Sequence, residues 1–108
     1  MNDLILTQSD GLVKQEGDEK RVSARELYKS LEVKRSYRFS DWFRSNSKMF
    51  VKGTDFEGVD VTTPYNQSAP DKLQTLEDYL MTMDMAKHIA LMSGTSKGAE
   101  IRKYFIEV

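Results

Sequence analysis

VSARELYKSLEVKRSYRFSDWFRSN, residues 22–46, is the stretch on which the fold turns. Ser23-Ala24-Arg25-Glu26 has the spacing of a capping box. In such a box the Ser hydroxyl accepts the backbone N–H three residues on, and the Glu reaches back to the cap's own amide. Ala24, Leu27, Tyr28 and Leu31 follow at i, i+3, i+4 and i+7, which predicts a helix of about two turns with one apolar stripe. After a polar bend, Glu32 to Arg38, the spacing repeats in Phe39, Trp42, Phe43 and Asn46. Ser40 and Asp41 suit the N-terminus of this second helix, where the dipole favours oxygen and negative charge. Two short helices joined by a bend make a helix-turn-helix-like pair.

Working towards the C-terminus, Lys52-Gly53-Thr54-Asp55 reads as a turn. Residues 56–62 alternate Phe56, Gly58 and Asp60 with Glu57, Val59 and Val61, which predicts a strand with Val59 and Val61 on one side. Asp78 to Met83 alternates in the same way and is its predicted partner. Between them, residues 63–76 (TPYNQSAPDKLQTL) contain both prolines among polar residues and read as a surface loop. A third helix is expected from Thr82 or Asp84, with Met85, Ile89 and Met92 as its stripe and Ser93-Gly94 as its end. Thr95 or Ser96 opens a fourth, with Ile101, Tyr104, Phe105 and Val108 on one face. It reaches Val108 without a closing glycine, as expected of a piece of a longer protein.

Towards the N-terminus, Leu4-Ile5-Leu6 and Leu12-Val13 flank the turn-like Ser9-Asp10-Gly11 and read as a short hairpin. The predicted whole is an α+β domain, a small antiparallel sheet packed against about four short helices. A chain of 108 residues, 39% hydrophobic, is one domain with a small core. Its six methionines make part of that core, or of a partner surface, adaptable. It has no cysteine, which removes disulfides, thiolate nucleophiles and cysteine-ligated metals and fits a reducing compartment. No apolar run approaches the roughly 20 residues of a bilayer span, and the acidic start is no signal peptide.

No catalytic, cofactor or metal site is expected. The single histidine, His88, has no second ligand at metal-binding spacing. With Asp84 it forms an i,i+4 pair, better read as a helix-surface contact than a dyad. Gly94-Thr95-Ser96-Lys97-Gly98 opens a helix, where free amides can bind phosphate, but a helix and not a strand precedes it. A turn with an N-cap accounts for it better. The acids Glu77-Asp78 and Asp55…Glu57 cannot be placed relative to a partner from sequence.

The charge pattern points to binding. The net charge is −1, but residues 1–18 carry −3, residues 19–52 carry +6 and residues 53–108 carry −4. Such a basic block between acidic flanks suits a face for an anionic partner. Lys34, Arg35, Arg38, Arg44, Lys48 and Lys52, with Tyr37 among them, lie in or around the second helix and its bend, as candidate contacts to nucleic acid or to a protein. Phe39, Trp42 and Phe43 are core. Tyr104, Phe105 and Val108 are candidate contacts of a homo-oligomer, with core as the competing role.

These segments together resemble one family. VSARELYKSLEVKRSYRFSDWFRSN (22–46), FVKGTDFEGV (50–59) and DYLMTMDMAKHIALMSGTSKGAEIRKYFIEV (78–108) are similar, in that order and spacing, to the domain of AntA/AntB-type phage antirepressors. The resemblance spans residues 22–108 and leaves residues 1–21 as an N-terminal hairpin or arm. It implies a non-enzymatic regulator in the host cytoplasm that binds a prophage repressor and relieves repression in the lysis–lysogeny switch. It also keeps open a DNA-binding role for the basic block, since related viral N-terminal domains are thought to bind DNA. That family has a basic loop before D-Y-x-x-T-x-D; here the loop holds one lysine, and no nucleic-acid role is assigned to it.

Overall fold

The computed structural model describes residues 13–16, 19–66 and 68–107. Four strands and four helices follow in the order β1 (Val13–Glu16), β2 (Glu19–Ser23), α1 (Ala24–Ser30), α2 (Phe39–Asn46), β3 (Phe56–Asn66), β4 (Ala69–Thr82), α3 (Met83–Met92) and α4 (Ser96–Glu107). The strands form one antiparallel sheet in the order β1-β2-β4-β3. The architecture is α+β, as the alternation of period-2 and period-3.6 segments predicts. The hairpin expected around Ser9-Asp10-Gly11 lies outside the described residues, except for Val13, which begins β1. The pairing described at this end is β1 with β2, Val13 opposite Val22 and Glu16 opposite Glu19.

The core forms where β2, β4 and β3 meet the helices. Val22 and Met81 are cross-strand partners, as are Met81 and Phe56, and all three are buried. Against them pack Leu27 of α1, Phe43 and Trp42 of α2, Met85 and Ile89 of α3, and Phe105 of α4. Burying side chains of this size contributes roughly 1.5–3 kcal/mol each. Phe43 and Tyr79 stack with ring centroids 3.9 Å apart and planes within 6°, fixing α2 on the sheet opposite Gly58.

Both predicted strands pair, but they run much further than the alternation suggests. β3 continues to Asn66 and β4 begins at Ala69, so the predicted loop 63–76 is instead the outer part of a long hairpin, with a register shift between Pro64 and Asn66. β2 pairs with β4 only at residues 80–82, so among the described residues β3 is the one neighbour of residues 69–79. Proline is tolerated there because a strand with one neighbour needs only half of its amides. Val59 and Val61 do lie on one side, but it is not the core side: Val61 is exposed, and Phe56 on the other side is buried.

The helix ends follow their capping residues closely. Ser23 Oγ accepts the Glu26 amide at 3.2 Å and Thr82 Oγ1 accepts the Met85 amide at 3.2 Å. The reach-back expected of Glu26 is replaced by a surface contact to Lys29 at 3.9 Å. α2 begins after Arg38, which makes no side-chain cap, and Ser40 and Asp41 lie in its first turn, where the dipole favours them. In α3 the buried stripe is Met85, Ala86, Ile89 and Ala90, whereas Met92 is exposed. Phe105 is 1% exposed and fills the domain's own core, the role that competed with an oligomer contact. Tyr104 packs against Phe105, and Val108 lies outside the described residues.

Candidate functional site

The bend between α1 and α2 is held in one conformation by its own backbone. α1 ends in a Schellman arrangement: the Glu32 amide donates to Lys29 O at 3.0 Å and the Val33 amide to Tyr28 O at 3.4 Å. Glu32 sits at φ 57, a left-handed position that glycine usually fills, and is the one non-glycine residue with positive φ among those described. Such strain persists only where the surroundings over-determine it. A turn follows, closed by the Tyr37 amide donating to Lys34 O at 2.9 Å. Tyr28 Oη donates to Tyr37 O, and the Tyr28 ring packs edge-on against Phe39 and Trp42. The whole connection between the two helices, residues 31–38, is eight residues long, more than the three or four of a DNA-reading helix-turn-helix.

Val33 of this bend packs against the core, and the other side chains face solvent. Lys34, Arg35 and Arg38 are exposed and Tyr37 is 41% exposed. Arg44 lies on the outer side of α2 and pairs with Asp41 at 2.8 Å. Lys48 and Lys52 follow the helix and are exposed. The seven predicted site residues therefore form two groups at opposite ends of α2, about 12 Å apart for a helix of eight residues. Lys34, Arg35, Tyr37 and Arg38 stand at one end, Lys48 and Lys52 at the other, with Arg44 between. None of Lys34, Arg35, Arg38, Lys48 and Lys52 makes an ion pair among the described residues. Lys52 also borders a shallow depression of about 250 Å³ with Gly58, Val59, Asp60, Glu77 and Tyr79.

Arg25, another cation of the basic block, is structural. Arg25 donates from Nε to Glu77 O at 2.6 Å and stands over the Phe39 ring at 4.3 Å. Beside it is Asp78, 3% exposed and missed by sequence reasoning. Its Oδ2 accepts Ser23 Oγ–H at 2.6 Å, and its Oδ1 accepts the amides of Arg25 at 3.0 Å and Tyr79 at 2.7 Å. Asp78 thus satisfies a first-turn amide of α1 and ties that helix to β4. Only the Asp-Tyr dipeptide ahead of an apolar alternation hinted at it. Tyr79 Oη donates to Glu77 Oε1 at 2.7 Å, and this bond, helped by burial, raises the phenol's pKa.

The remaining motifs resolve into packing. His88 meets the Phe50 ring edge-on at 5.8 Å, while the Asp84 carboxylate lies 3.9 Å from Lys87 Nζ. Thr95 Oγ1 accepts the Gly98 amide at 3.0 Å, and Lys97 lies 3.7 Å from Glu100. The glycine at 98 is required by contact: a Cβ there would stand 2.4 Å from Ala90 O and 1.9 Å from Ser93 Oγ. Among the described residues no three His, Cys, Asp or Glu are grouped to hold a metal ion, and no helix is long and apolar enough to cross a membrane.

The chain is thus a small α+β domain that displays exposed cations around one short helix. The model of the AntA/AntB antirepressor family matches residues 22–95, over two thirds of the chain. The chain belongs to that family, and the match ends at residue 95, just before α4. No curated protein and no solved structure matches it.

Proposed function

We propose that this domain is the repressor-binding part of a phage antirepressor, that it acts by binding and without chemistry, and that it relieves repression in the lysis–lysogeny switch. Its direct partner on this reading is the repressor of the prophage that encodes it, in the bacterial host cytoplasm. The observation that carries the reading is the over-determined bend 32–38, which holds Lys34, Arg35, Tyr37 and Arg38 outward around a left-handed Glu32. Preorganised arginine and tyrosine side chains are what interface hot spots favour. Membership of an antirepressor family supports the same reading.

A second reading is that this surface contacts DNA, favoured by the exposure of Lys34, Arg35, Arg38 and Lys48, none of which makes an ion pair among the described residues. Fluorescence anisotropy of labelled operator DNA, free and loaded with the prophage's own repressor, separates the two. Release of the loaded complex with free DNA unaffected is expected for the antirepressor. A salt-sensitive rise on free DNA, with the repressor left in place, would overturn it in favour of the DNA reading.

A further inference from the structure

Lys48-Met49-Phe50-Val51-Lys52 turns two large apolar side chains into solvent: Met49 is 81% exposed and Val51 59%. The loop is not free to fold them away. The Phe50 amide donates to Ser47 O at 3.0 Å, and the amides of Thr54 and Asp55 both donate to Val51 O, at 3.1 and 2.8 Å. Asp55 Oδ2 accepts the Val51 amide at 2.8 Å, and Gly53, at φ 89, donates to Phe56 O at 2.7 Å. Asp55 O in turn accepts the Thr82 amide at 2.9 Å, anchoring the loop at the start of α3.

The loop joins the outer side of α3 through Phe50, whose ring meets His88. One turn beyond His88, Leu91 is 54% exposed, and Met92 beside it is also exposed. Met49 and Val51 are the chain neighbours of Phe50, and Leu91 and Met92 lie one helical turn beyond His88, so both elements that meet in the Phe50–His88 contact carry exposed apolar side chains beside it. An ordered apolar patch is a recognised mark of an interaction site, and methionine suits such surfaces because it re-packs cheaply. Its rim is positive. Lys48 and Lys52 bracket the loop without ion-pair partners among the described residues, and the loop's one acid, Asp55, is engaged by the Val51 amide.

We infer that this patch receives an apolar segment of the repressor flanked by carboxylates, as a second contact separate from the bend 32–38; the inference rests on the repressor reading above. Apolar side chains of the partner fill the space between Met49, Val51 and Leu91, and its carboxylates meet Lys48 and Lys52. The rigid loop lowers the ordering cost of binding.

The test is a titration of fluorophore-labelled repressor from the same prophage with the full chain, wild type and variants, each checked by circular dichroism. Met49→Asp/Val51→Asp and Leu91→Asp are expected to weaken binding by about tenfold or more, as for a central interface contact. Lys48→Glu/Lys52→Glu is expected to weaken it several-fold. Leu73→Asp, which changes an equally exposed apolar residue on the β3–β4 hairpin, should leave affinity unchanged. Wild-type binding that survives both apolar variants overturns this patch while the repressor reading stands. Charge reversal that leaves binding unaltered or tighter overturns the carboxylate partner. No binding by the wild-type chain overturns the repressor reading and this inference together. A wild-type dimer that Met49→Asp/Val51→Asp dissociates, seen by sedimentation velocity, assigns the patch to a second copy and overturns it as well.

Discussion

Asp78 and Tyr79 are adjacent in sequence and carry opposite kinds of electrostatic information. Asp78 is a buried carboxylate that three donors satisfy, so its removal strands the buried Ser23 hydroxyl and the part-buried amides of Arg25 and Tyr79. Asp78→Ala is expected to cost about 3 kcal/mol, read as a lower midpoint in denaturant unfolding, because unsatisfied buried groups cost about 1–3 kcal/mol and the losses are not additive. Tyr79 has its phenol pKa raised, chiefly because the neutral Oη–H donates to Glu77 and a phenolate there would face the carboxylate. The sign follows from linkage: the unfolded chain's phenol ionises first, near 10, so the stabilisation is whole below that value and fades as pH rises through the higher folded value. Difference absorbance titration of wild type against Tyr79→Phe should place this phenolate above the ordinary tyrosine value, and Glu77→Gln should bring it back down.

At the scale of elements, two segments depend on their neighbours in opposite ways. α4 approaches the end of α3 so closely that Gly98 has no room for a Cβ. Gly98→Ala gains about 1 kcal/mol of helix propensity, but a backbone oxygen cannot yield as a side chain does. A net loss of about 1–2 kcal/mol is expected, visible in thermal unfolding, and Ser93→Ala should relieve only part of it because the contact with Ala90 O remains. The outer part of the β3–β4 hairpin, by contrast, supports little of the core, since β2 reaches only residues 80–82. Replacing residues 63–74 with an Asn-Gly turn is expected to move Tm by less than about 6 °C, which corresponds to under about 1 kcal/mol for a domain of this size. A larger drop would mean that the hairpin carries stability its single-neighbour pairing does not suggest.

For the molecule as a whole, charge is segregated: the basic block surrounds α2, whereas residues 53–108, which include the hairpin, carry −4. If the apolar loop and the bend both contact a repressor, salt should weaken that complex modestly. The expected loss between 50 and 200 mM salt is less than about tenfold, against about a thousandfold or more for six phosphate contacts. Isothermal titration at the two salt concentrations measures it, and a loss of the larger size would point to DNA.

The sequence alone determined the helices, the capping roles of Ser23 and Thr82, and two paired strands expected over residues 56–62 and 78–83, although Met83 opens α3 and the register runs from Phe56 opposite Met81 to Thr62 opposite Thr75. Each rests on local spacing that any packing must respect: an apolar stripe every three to four residues, a hydroxyl or glycine at a helix end, an alternation of period two. The basic residues of the bend were equally legible, because exposed cations leave their mark in composition. Three things were settled only in the tertiary structure. The hairpin reached through two prolines because its outer strands have one neighbour each, which the chain cannot signal locally. Asp78 became a buried anchor because Ser23 and Arg25, more than fifty residues away, supply its donors. The exposure of Met49, Val51, Leu91 and Met92, and the burial of Phe105, followed from which side of each element the rest of the chain covered. Hydrophobicity says that a side chain gains by burial, and only the assembled neighbours decide which ones receive it.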